Sequence, residues 1–152
     1  MKINKKILYA ALTLTVMIFI FMFSAQNADT SSNTSTGFTK AIARIVMPGQ
    51  TQGQIDSLAG QLDMFVRKGA HFSIYAVLGL FACLFFGEYK FETNAKYFIF
   101  PIALCMLYAV TDEVHQYFVP GRACRLLDVF IDTCGAVVGT AAINLFKRNF
   151  KK

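Results

Sequence analysis

Charge is what this chain has least of. Asp, Glu, Lys and Arg make up 16% of its 152 residues, against 55% hydrophobic. A water-soluble domain of this size needs more polar surface than that. The net charge of +6 does not point to nucleic acid. The basic residues fall between and beyond apolar runs and form no stripe with interleaved aromatics. Cysteines number four, and Cys83, Cys105, Cys124 and Cys134 form no CxxC pair. That argues against a disulfide framework or a zinc ribbon and for small apolar packing residues. No HExxH and no GxSxG occurs, so no named hydrolase class is supported. Internal repeats and low-complexity tracts are also missing.

What is present is grease in four blocks. Apolar stretches run over about 7–25, 69–87, 97–118 and 128–146. At about 1.5 Å per residue, each block approaches the ~30 Å thickness of a bilayer's hydrocarbon. The expected fold is therefore an all-α membrane protein with four transmembrane helices, forming a single domain over 1–152. The first block follows Lys2, Lys5 and Lys6 as a signal peptide would. Its length and the lack of a small-x-small cleavage pattern favour a retained helix.

The external loop 26–67 divides in two. Asp29 to Gly37 is rich in Ser, Thr and Asn and reads as a solvated turn. Beyond it, Phe38, Ile42, Ile45 and Val46 recur at helical spacing, as do Ile55, Leu58, Ala59, Leu62 and Phe65, with Pro48-Gly49 between them. Two short amphipathic helices on the membrane surface fit this pattern, and so does a loose loop packed on the bundle.

Four crossings bring both termini to one side. Lys2, Lys5, Lys6, Lys90, Lys96, Lys147, Arg148, Lys151 and Lys152 lie there. The other side holds Lys40, Arg44, Arg67, Lys68, Arg122 and Arg125. The bias places both termini in the cytoplasm.

The chain's few intramembrane polar residues then gather near the outer surface. Charged side chains in hydrocarbon are costly and normally face a bundle interior or a wet cavity. Lys68, His71 and Tyr75 share a stripe at helical spacing, and Asp128, Asp132, Gly135 and Gly139 share another. Gly135 to Gly139 is a GxxxG, a close-packing face in membranes. On the third helix Asp112, His115 and Gln116 cluster, with Glu113 about 100° away. The expected ligand-binding set is Lys68, His71, Tyr75, Asp112, Glu113, His115, Gln116, Arg122, Asp128 and Asp132.

These residues also carry a resemblance. Phe23-Ser24-Ala25-Gln26, Arg67-Lys68-Gly69-Ala70-His71-Phe72 with Tyr75, Thr111-Asp112-Glu113-Val114-His115-Gln116 through Pro120-Gly121-Arg122, and Asp128 through Gly135 with Gly139 resemble the VanZ-like membrane protein family. The resemblance implies a small multi-pass bacterial membrane protein. The family's namesake is associated with resistance to the lipoglycopeptide teicoplanin. Ser24, Gln26, Lys68, His71, Asp112, Glu113, His115, Gln116, Arg122, Asp128 and Asp132 fall on the family's motif positions.

The leading expectation is an outward-facing polar pocket in the cytoplasmic membrane. It would bind a lipoglycopeptide or a lipid-linked cell-wall precursor and contribute to glycopeptide resistance. Arg122 and Lys68 would pair with phosphate or carboxylate, and the acids would accept from amines or hydroxyls. The alternative is an intramembrane hydrolase or transferase acting on an envelope lipid. In it His71 or His115 serves as general base beside Asp112 or Glu113. Asp112, Glu113, His115 and Asp132 are of types that suit a divalent ion, but no cofactor and no metal site is assigned. A transporter and a purely structural salt-bridge network are the remaining readings. The expected partners are the lipid bilayer and an amphiphilic ligand, with no nucleic acid.

Overall fold

A computed structural model of the chain describes residues 4–149. Lys2, Lys151 and Lys152, which contribute to the charge bias, lie outside the described residues. Five helices follow one another: α1 (Lys5–Ser24), α2 (Ala28–Val46), α3 (Gln52–Phe86), α4 (Lys96–Tyr117) and α5 (Leu126–Asn149). No strand occurs among the described residues. Four helices, all but α2, are long and apolar enough to cross a membrane. Their outward faces carry Leu14, Ile18, Ile99, Leu107 and Phe130, each more than half exposed. In water that much apolar surface would be an aggregation liability, whereas against lipid it is the expected coat.

The helix boundaries follow local chemistry. Asn4 caps α1, its side chain accepting from the Lys6 amide at 3.1 Å. Gly49, at φ +85°, turns the chain after α2 where a side chain would be strained. Thr51 opens α3 with a capping box, its amide donating to Gln54 Oε1 at 3.0 Å. Gly121, at φ +77°, makes the Pro120-Gly121 turn between α4 and α5.

The largest departure from the sequence reading is α3. Hydropathy starts the second span at Gly69, but the helix begins at Gln52 and runs 35 residues. Arg67 and Lys68 end an apolar window, yet nothing between Gln52 and Gly69 breaks the hydrogen-bonded ladder. A rod of about 52 Å exceeds the hydrocarbon thickness, so its first half projects from the bundle. The Ser/Thr/Asn tract is likewise helical, not a turn, and belongs to α2. It pairs with the projecting half of α3 as a hairpin. Ala43, Ile55 and Ala59 form its small core with Leu58 against it. Lys40 Nζ meets Asp56 at 3.0 Å, and Ser35 donates to Asp63. A continuous helix that crosses the membrane cannot also lie along its surface, so these segments pair through Ala43, Ile55, Leu58 and Ala59, while Phe38, Ile45, Val46 and Phe65 stay exposed.

Within the membrane part, α3 and α5 meet most closely. A Cβ on Gly135 would fall on the carbonyl oxygen of Phe72, and one on Gly139 on that of Ala76. Gly79 lies equally hard against the backbone of Ala136. The Thr140 hydroxyl donates to the Gly79 carbonyl at 3.3 Å. The GxxxG face is thus the seam between the two helices that carry Lys68, His71, Asp128 and Asp132. The core beneath the polar residues contains Ile20, Tyr75, Leu78, Cys105 and Ala109. At the opposite end Lys6 sits 3.9 Å above the Tyr89 ring and Lys147 lies beside Gly87, so both ends of the described chain share that end.

Candidate functional site

One end of the bundle gathers the polar residues of four helices. Lys68 Nζ on α3 bonds Asp128 Oδ1 on α5 at 2.6 Å. His71 Nδ1 stands 3.7 Å from Asp132 Oδ2 across the same seam. Gln116 on α4 is a buried hub. Its amide nitrogen donates to Ser24 Oγ of α1 at 2.7 Å and to Asp112 Oδ2 at 3.1 Å. Its carbonyl accepts from Arg122 at 3.4 Å. Arg122 also donates to the Gln26 carbonyl at 3.2 Å, closing the open end of α1. Burial, then the nearby Arg67, lowers the Arg122 pKa from its ordinary value. Arginine's pKa starts so high that the group stays cationic.

A polar recess of about 410 Å³ opens here. Of the expected ten residues it is lined by Lys68, His71, Glu113, Gln116, Arg122, Asp128 and Asp132. Asp112 lies just behind this wall, with a carboxylate oxygen within 4.8 Å of donor atoms of His71 and Asp132. Tyr75 is deeper and fully buried, in the apolar core.

His115 is the residue that the structure turns away. Its ring packs on Phe21 of α1, centroids 4.6 Å apart. Glu113, which the wheel set apart, instead enters the recess, where its carboxylate accepts from the Arg125 amide at 2.7 Å. The cause is the small residues Cys105 and Ala109, both fully buried. They fix the inward face of α4 near Gln116. Roughly 100° per residue then brings Glu113 in and His115 out.

The sequence reading left out Gly60, Asp63, Met64, Arg67 and Arg125, all of which line the recess. The signal existed: Gly60, Asp63, Met64, Arg67, Lys68 and His71 recur every three or four residues. It is visible only if the helix is continued upstream of Arg67.

A second, mainly apolar hollow of about 610 Å³ adjoins the first. Ile20, Phe23, Phe38, Val66, Ala70 and Ile74 form its walls. Arg67, His71 and Arg122 line both hollows.

The Lys68–Asp128 pair makes the first testable point. Both side chains are about one quarter exposed, 25% and 28%. Lys68→Met strands a partly buried carboxylate and should cost about 1–2 kcal/mol, less than the 3–5 of a fully buried pair. Exchanging the two charges should recover only part. A cation at position 128 sits in the first turn of α5, where the helix dipole favours an anion. Thermal unfolding in detergent of Lys68→Met and the swap reads this directly.

Four helices able to span a bilayer, with a polar recess at one end of the bundle, fit a small multi-pass membrane protein. A model of the VanZ/LLP1 family matches residues 9–147. The chain belongs to that family, and membership fits a membrane protein associated with glycopeptide resistance. No curated protein and no solved structure matches it.

Proposed function

We propose that the protein binds an anionic amphiphile of the bacterial cell envelope, or a lipoglycopeptide of the same build, at the outer face of the cytoplasmic membrane. The carrying observation is the shared border of the two hollows at Arg67, His71 and Arg122. A polar head group fits the mixed-charge recess and an acyl chain fits the apolar hollow. The cations on the border would bind a phosphate or carboxylate at the junction. The bias of Lys and Arg toward the end that holds both termini supports cytoplasmic termini and an outward recess. On this reading the contribution to teicoplanin-type resistance comes from occupancy of this site.

The test is direct binding to purified protein of a lipoglycopeptide, its deacylated counterpart and a lipid-linked cell-wall precursor. Removing the acyl chain should weaken binding at least tenfold, and Arg67→Ala with Arg122→Ala should do the same for acylated ligands. Wild-type affinity in the double variant would reject this site. Cells expressing His71→Ala protein at matched membrane abundance should lose any protection that the wild type gives.

The second reading is a hydrolase or transferase on an envelope lipid. It is favoured by one observation: His71, Asp112 and Asp132 converge at the edge of the recess. Product formation from labelled envelope lipids, lost in Asp132→Asn, is its test.

A further inference from the structure

We infer that His71, Asp112 and Asp132 form a binding site for a divalent metal cation. Each offers a ligand atom, and the three atoms lie within 4.8 Å of one another. They come from three helices, so the site exists only in the assembled bundle. By residue type the sequence groups Asp112 and Asp132 with Glu113 and His115 for a divalent ion, and counts His71 only in the wider polar set. The fold supplies His71 in their stead, because α3 is clamped to α5 along the glycine seam.

Two further observations point to a cation. Asp112 is 4% exposed and Asp132 only 1%, yet Oδ1 of each has no hydrogen-bond partner among the described residues. His71 Nδ1, 3.7 Å from Asp132, has none either. Buried carboxylate oxygens without partners are costly, and proteins rarely leave two side by side. Two carboxylates and a neutral imidazole carry a charge of −2, which a divalent ion cancels.

The surroundings suit the role. Gln116 holds the other oxygen of Asp112 at 3.1 Å, the kind of outer contact that aims a ligating carboxylate. Tyr75, fully buried, has a hydroxyl with no hydrogen-bond partner among the described residues. Donors around a common ion at about 2.0–2.2 Å stand closer together than the present spread. Binding an ion therefore requires side-chain rotations that draw the three donors together. One imidazole with two carboxylates suits Mn²⁺ or Zn²⁺. Three protein donors leave positions open, and His71 and Asp132 line the polar recess. A bound ion would therefore face it.

The experiment uses the full chain in nanodiscs without a polyhistidine tag, stripped with chelator and re-equilibrated with Zn²⁺ or Mn²⁺ alone. One ion per chain is expected by elemental analysis, with a metal-dependent rise in unfolding temperature. Asp132→Asn and Asp112→Asn should weaken binding by roughly 100-fold or more, and Gln116→Leu by about tenfold. His115→Gln should bind as wild type. For a variant that fails to fold, the wild type decides: Mn²⁺ bound here shows nitrogen coupling in its electron spin echo spectrum, and keeps it in His115→Gln. A folded wild type with no stoichiometric ion overturns the inference. So does binding that survives in Asp132→Asn, is lost in His115→Gln, or shows no nitrogen coupling. The probe is the metal alone, so failure leaves the amphiphile reading standing.

Discussion

Gly139→Leu should abolish assembly of the bundle. A side chain at this position runs into the carbonyl oxygen of Ala76, which belongs to the backbone of α3 and cannot swing aside. Overpacking in an adaptable core costs about 1–3 kcal/mol. Here the obstacle is main chain, and relief requires α3 and α5 to separate. Separation also breaks the Lys68–Asp128 and His71–Asp132 contacts and the Thr140 bond to Gly79. The sum approaches the total stability of a small domain, about 5–15 kcal/mol. The measurement is the amount of monodisperse protein recovered from membranes, expected to fall at least tenfold. Gly53→Leu is the control, since a Cβ there meets nothing within 4 Å.

Gln116→Leu carries the second large effect. Gln116 is buried and joins Ser24, Asp112 and Arg122, members of α1, α4 and the following turn. Leucine preserves the bulk and removes every bond. Each stranded buried group costs about 1–3 kcal/mol, so a loss of about 2–4 kcal/mol is expected. The damage should be local to α1. Its remaining ties at that end include the Arg122 bonds to the Gln26 and Phe23 carbonyls and the packing of Phe21 on His115. Deeper down, the Tyr108 hydroxyl donates to the Met17 carbonyl at 2.6 Å. Faster hydrogen exchange at Phe21 to Gln26, with α3 and α5 unchanged, would show that the hub acts as described. Uniform loosening of all helices would contradict it.

The four spans were legible because each is a long apolar block, and composition alone marks such blocks. The α3–α5 seam was legible for a different reason. Gly135 and Gly139 share a helical stripe with Asp128 and Asp132, so the close-packing face and the acids had to point the same way. The facing of α4 was not legible from its polar residues. Asp112, His115 and Gln116 suggested one centre, but Cys105 and Ala109 decide it, and small residues give a weak sequence signal. The hairpin was hidden for the opposite reason. Polarity at Arg67-Lys68 looks like the end of a helix when it is only the end of the greasy part. Ser, Thr and Asn in α2 likewise score as turn formers, and its pairing with α3 overrides them.

The unbroken course of α3 also sets a height. From Lys68 at the rim of the recess to Gln52 at the base of the Pro48-Gly49 bend, the helix rises about 24 Å along its axis. In the proposed orientation, the bend lies on the outer side, beyond the hydrocarbon that the apolar half of the helix spans. The continuous helix thus holds the Pro48-Gly49 bend at a set height over the recess.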